Sequence, residues 1–151
     1  MSTQDFFVDN LDVVRFRASQ GDQTEEHIKW RVGYAPASEE GVNGQHIRVV
    51  IATLHVGGNG GWAEIDAGAF LVSDDEGPDD DNLEAAVRQS IAVEAVYDFA
   101  RSHLRGLLAT IGVFVDIPVA SPDPDMFVLV PHDDVEEPDD EEDPRATQES
   151  E

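Results

Sequence analysis

The chain has no cysteine, so disulfides, thiolate nucleophiles and thiolate metal ligands are excluded from its chemistry. Lysine is almost as scarce: Lys29 is the only one, and the other basic side chains are arginines. Basic residues number 9 against 33 acidic ones, for a formal net charge of −24. A field of that sign repels phosphate backbones and anionic lipid surfaces, which makes nucleic acid and membrane poor partners. The same field would attract a basic partner at low salt. Long apolar runs are missing too, because charges interrupt each one before it reaches bilayer-spanning length. The start, Met1 to Asp9, has neither the basic opening nor the apolar centre of a signal peptide. A soluble, cytoplasmic protein is the expectation.

What is present is modest. At 151 residues, 40% of them apolar, there is room for one domain and a small core of the kind that gains from oligomerisation. A boundary lies near Pro131. From His132 to Glu151 there are 11 acids against one arginine, and a single valine and a single alanine for apolar content. Such a segment cannot bury enough surface to offset its ordering entropy, so residues 132–151 are expected to be a disordered acidic tail.

The first half reads as strands. Ile28, Trp30, Val32 and Tyr34 alternate with His27, Lys29, Arg31 and Gly33, the period of a half-buried strand. Leu11 to Arg17 is strand-like but less regular. Gln45 to Val56 is apolar on both faces in its middle, as in a central strand. The run Gly57-Gly58-Asn59-Gly60-Gly61 marks a turn, and Trp62 to Val72 returns. Four strands with short connections predict an antiparallel meander. After an acidic loop, Asp81 or Asn82 can cap a helix. Val93, Tyr97, Ala100, Leu104, Leu107 and Ile111 then form one apolar stripe ending at Gly112. Twenty-eight helical residues would span about 42 Å, long for so small a domain, so a bend near Ser90 or packing against another subunit is expected.

No constellation of residues reads as an active site. The glycine cluster lacks the Lys-Ser/Thr of a phosphate loop. His27, His46, His55, His103 and His132 include no pair at ligand spacing on one helix turn, and the register of the acidic loop around Gly77 fails a calcium loop. There is no Gly-x-Ser-x-Gly, and Ser102 and His103 point apart on a helix. The expectation is no catalysis, no metal and no cofactor.

Two segments carry a resemblance. Glu64-Ile65-Asp66-Ala67-Gly68-Ala69-Phe70-Leu71-Val72 is similar to the strand of the SecB family of export chaperones that ends in a glycine, a small or apolar residue and Phe. Val96-Tyr97-Asp98-Phe99-Ala100-Arg101, followed by Leu104, Leu108 and Gly112, is similar to that family's long helix with its aromatic-Ala-Arg core. The order of elements over roughly residues 10–120 agrees as well. Read as structural residues, Gly68 would allow a bulge or close backbone approach, and Phe70 would anchor the core. There are departures. Asp98 stands where the family has a proline, the crossover between the first two strands shrinks to about Ser19–Glu26, and Ser121-Pro122-Asp123-Pro124 breaks the chain where a terminal helix would begin. Val13, Arg17 and a displaced Glu64 occupy the region that contacts the SecA motor in the family. This puts SecA docking in doubt and makes a relative serving another client, such as a toxin–antitoxin-associated chaperone, an equal reading.

The fold expected is therefore α+β, a SecB-like domain over residues 1–131 with a four-stranded antiparallel sheet and one long helix packed on it. The resemblance implies an ATP-independent chaperone that binds unfolded or nascent client polypeptides, as a homotetramer built from two dimers. The alternative is a protein-interaction module that reuses the fold without handling unfolded chains. The client-binding candidates are Phe114, Ile117, Met126 and Phe127, which lie outside the regular elements next to prolines. A flexible thioether beside aromatic rings suits a promiscuous surface. An equal reading is that they cover the helix–sheet core.

Overall fold

The computed structural model describes residues 6–21, 25–78 and 80–130. The acidic segment 132–151 lies outside the described residues. The elements are β1 (Phe7–Gln20), β2 (His27–Tyr34), β3 (Glu39–Glu40), β4 (His46–Gly58), β5 (Gly61–Ser73), α1 (Asp80–Arg88), α2 (Ile91–Thr110) and β6 (Asp125–Val128).

The alternation read from sequence sets the two faces of the sheet. Trp30, Val32 and Tyr34 of β2, Val50, Ala52, Leu54 and Val56 of β4, and Ala63, Ile65, Ala67 and Leu71 of β5 all turn to one buried face. The glycine cluster closes the β4–β5 hairpin as expected. Gly58 pairs with Gly61, leaving Asn59 at φ 52° and Gly60 at φ 94° in the left-handed region that suits a tight turn between twisted strands. The helix α2 lays Ala92, Val93, Val96, Tyr97, Ala100, Leu104 and Leu108 onto that face. Small residues on both sides (Ala63 and Ala67 on β5, Ala100 on α2) allow close approach. The Trp30 and Tyr97 rings meet edge to face, 5.3 Å apart.

The structure is α+β, with a mixed sheet of six strands and two helices instead of four antiparallel strands and one helix. The sheet order is β1-β5-β4-β2-β6, with β3 beside β4. The expected meander fails at its first step, because β1 pairs with β5 and not with β2. Charge complementarity agrees with this pairing, beside the packing of Val8, Val13 and Ala18 on the core. Across from β1, β5 offers Glu64 and Asp66, which pair with Arg17 and Arg15 at 2.6 and 3.0 Å. On its corresponding face β2 carries Lys29 and Arg31, and like charges side by side destabilise a strand pair. Met126 and Phe127 join the sheet as part of β6, parallel to β2, with Val32 opposite Met126 and Gly33 opposite Phe127.

The long helix is interrupted at the place where a bend was expected. Ser90 is extended (φ −76°, ψ 154°) and its hydroxyl donates to the Val87 carbonyl at 2.6 Å, so α1 ends and α2 begins on either side of it. Phe70 does not anchor the core. Its neighbours Ala69 and Leu71 point inward, so Phe70 stands on the opposite face, 37% exposed. Gly68 is a close approach: a Cβ there would lie 3.1 Å from a Val14 methyl, where the register of β1 slips between Val13 and Arg15.

Candidate functional site

Beyond α2 the chain forms a strap. Gly112, at φ 72°, stops the helix, and the Val113 amide donates to the Leu108 carbonyl at 2.9 Å. From there the chain runs back along α2. Arg101 Nε donates to the Ile117 carbonyl at 3.3 Å, and the Tyr97 hydroxyl donates to the Pro118 carbonyl. The Ser121 amide then donates to the Glu94 carboxylate at 3.1 Å, and Asp123 pairs with Arg88 at 2.8 Å. Burial pushes the Tyr97 phenol above its ordinary value, and the nearby Glu94 and Asp98 charges add to this against the opposing pull of Arg101.

Side chains along the strap alternate between the core and the surface. Val113 and Ile117 point inward, and Phe114 points outward with 77% of its surface exposed. Phe114 stands at a groove of about 710 Å³ between the strap and the end of α2, lined by Gly106, Ala109 and Val113 together with Glu26, Arg105 and Asp116. The Phe114 carbonyl is held by the Asn59 side-chain amide at 2.9 Å, so the strap is tied to the β4–β5 turn.

Of the four client-binding candidates only Phe114 lines this groove. Ile117 is 3% exposed and belongs to the core. Met126 is half-buried against the core. Phe127 is half-buried, with the Arg31 guanidinium 4.7 Å from its ring centre. It also fills the space over Gly33, where a Cβ would come within 2.5 Å of the ring.

A second apolar surface lies on the sheet face away from α2. Leu11, Val14, Val49, Ile51 and Phe70 line a shallow groove of about 430 Å³. Beside it, the edge strand β1 exposes Phe7, Val14 and Phe16, each 60% exposed, and its free side has no strand partner among the described residues. These residues were not among the candidates. The signal that could have found them is the two-sided apolar stretch of β4, whose second face must meet something when helices cover only the first.

The other half of that face is polar. Asp66 pairs with Arg15 and accepts from the Thr53 hydroxyl at 2.7 Å. Glu64 accepts from Arg17 and lies 2.9 Å from His55 Nδ1. Partial burial alone would raise the Glu64 carboxyl, but the hydrogen bonds and charges of His55 and Arg17 outweigh it and hold the group below its ordinary value. Among the described residues, no group of three or more His, Asp or Glu side chains is arranged to hold a metal ion. No described helix is long and apolar enough to cross a membrane.

No protein-family model matches the chain, and no curated protein does either. Among solved structures it is similar to the Mycobacterium tuberculosis Rv1957 SecB-like chaperone in complex with a ChAD peptide from the Rv1956 HigA1 antitoxin. The TM-score is 0.53 at 10% sequence identity, over 78% of this chain and 88% of that one. The fold is SecB-like. At that identity the likeness concerns the backbone alone.

Proposed function

We propose that this SecB-like chain is an ATP-independent chaperone that holds unfolded or extended client polypeptides and performs no catalysis. The observation that carries the reading is Phe114, a large apolar side chain left exposed at an open, partly apolar groove on a strap fixed along its length. A holdase needs apolar surface that stays available in the free protein, and a rigid mount spares it the entropy of ordering that surface on binding. The solved neighbour, a SecB-like chaperone bound to an antitoxin peptide, supports a client that is an extended peptide segment. The net charge of −24 favours clients that are basic as well as apolar.

Assembly into a homotetramer of two dimers belongs to the same proposal. The exposed Phe7, Val14 and Phe16 on an edge strand are what a second copy would cover, since a long apolar edge left open is an aggregation hazard. Docking to SecA finds less support, because Arg15 and Arg17 neutralise Asp66 and Glu64 on the open sheet face.

The test is suppression of aggregation of a denatured model protein, without ATP and at near-equimolar ratio. Wild type should protect, and Phe114→Ser should protect several-fold less while keeping the same assembly mass and melting transition. If wild type protects no client, including the products of neighbouring genes, the interaction-module reading replaces this one.

A further inference from the structure

Two histidines from distant parts of the sequence meet on the open sheet face. His27 opens β2 and His55 lies near the end of β4; in the register His27 is opposite Gly57 and His55 opposite Lys29, so the two are diagonal neighbours. Gly57 makes the meeting possible, because a Cβ there would come within 2.3 Å of the His27 ring. The Nε2 atoms lie 3.1 Å apart, with ring centres 5.1 Å apart and planes 26° from parallel.

With a hydrogen on each Nδ1, two neutral rings leave none for the contact between their Nε2 atoms. His55 Nδ1 is 2.9 Å from a Glu64 carboxylate oxygen and His27 Nδ1 is 3.2 Å from the Glu25 carbonyl oxygen. Both partners are acceptors, so both Nδ1 atoms carry the hydrogen. A neutral imidazole has one N–H, which leaves both Nε2 atoms as lone pairs facing each other. A shared proton or a metal ion between them would satisfy both.

We propose that His27 and His55 form a two-imidazole site for a borderline divalent transition ion of the Zn²⁺ or Cu²⁺ type, with water completing its coordination. Two nitrogens at the usual ~2.0–2.1 Å from a tetrahedral zinc lie ~3.3 Å apart, close to the separation found here. Imidazole is the ligand these ions select, and of the divalent first-row series copper binds such donors most tightly. The acceptors on the two Nδ1 atoms are the outer partners that metal-bound histidines have, a carboxylate for one and a backbone carbonyl for the other, and they orient both rings. Trp62 stacks on the His55 ring at 5.4 Å and steadies it further. Of the nearby cations, Arg17 is engaged by Glu64, and Lys29, cross-strand from His55, is exposed. The site faces away from α2, so an ion reaches it without any opening of the core. Neither histidine lines the Phe114 groove, although Glu26 beside His27 does, and the proposal stands whether or not the chain is a chaperone.

The full chain is titrated with Zn²⁺ and Cu²⁺ by calorimetry near neutral pH, with electron paramagnetic resonance of the copper form. One ion per chain is expected, with two imidazole nitrogens in the copper spectrum. His27→Gln and His55→Gln should each weaken binding by about tenfold or more, and His27→Gln should leave one imidazole in the spectrum. His46→Gln and His132→Gln should leave affinity unchanged. If His55→Gln perturbs the sheet, as circular dichroism would report, the variant at His27, half-buried at the start of β2, decides. Absence of binding by wild type would mean that a proton alone bridges the pair and would overturn the proposal. Binding that survives both variants, or that moves with His132, would overturn it equally.

Discussion

On the helix side of the sheet Leu54, Ile65 and Leu71 are sealed beneath α2, while on the other side Val49, Ile51 and Phe70, from the same two strands, open onto a groove. The two sets differ by one residue in phase. Their environments differ because the described helices cover one face only. The covered face is specified by volume, so each side chain there is constrained by what it touches. The open face carries charge pairs, Arg15 with Asp66 and Arg17 with Glu64, that favour the pairing of β1 with β5, and the apolar remainder is left for a partner.

The comparison is most easily broken at Leu104, fully buried on α2. Leu104→Ala should cost about 2–5 kcal/mol, as lost transfer energy plus the cavity left behind. Chemical denaturation would measure it. A cost under ~1 kcal/mol would mean that the helix–sheet layer is loosely packed and that the two faces are less different than they look.

Tyr97 gives the next effect, with a sign that depends on pH. Its phenol is buried and donates to the Pro118 carbonyl, so Tyr97→Phe should cost about 1 kcal/mol near neutral pH and loosen the strap. Burial raises the folded-state value above the ordinary one of about 10. The stabilisation held by the protonated phenol is therefore complete below about pH 10 and is lost as pH climbs from there through the folded value. Wild type should lose stability more steeply than Tyr97→Phe above about pH 10 in parallel denaturation curves. Equal slopes would mean that the hydroxyl is not sealed.

These two expectations rest on features that were legible in the sequence. The stripe from Val93 to Leu104 and the alternation of β2 announce the covered layer because burial imposes a period on local sequence. The pairing of β1 with β5 was not legible, because it depends on which distant strand offers Glu64 and Asp66, and periodicity holds no such information. For the same reason β6 was missed as a strand: four residues between prolines become one only because β2 has a free side. The candidate site divides along that line. Phe114 and Ile117 sit three apart on an irregular segment, and only the strap's tethers at Arg101 and Tyr97 decide that Ile117 enters the core and Phe114 does not.

A smaller effect comes from the open face. A double-mutant cycle on Arg15→Ala and Asp66→Ala should give a coupling of about 0.2–1 kcal/mol, because Arg15 remains largely exposed. It should shrink in high salt. A coupling well above that range would show that another copy covers the pair and removes it from solvent.

The smallest effect on the isolated fold should come from Phe16, and here the two faces can be told apart most sharply. Its register partner is Ile65, so it points to the helix side, yet on the edge strand β1 it stays 60% exposed. Surface substitutions at that exposure change stability by about 0.5 kcal/mol or less. A large apolar ring at an uncovered sheet edge is instead what a second copy would bury. Phe16→Ser should leave the unfolding of the protomer nearly unchanged while lowering the mass seen by light scattering at micromolar concentration. The same substitution at Phe114 should leave that mass alone and weaken client protection. If Phe16→Ser instead destabilises the monomer, the edge is covered from within the chain. If both variants leave mass and protection untouched, neither surface is an interface, and the proposed assembly and the proposed client groove fall together.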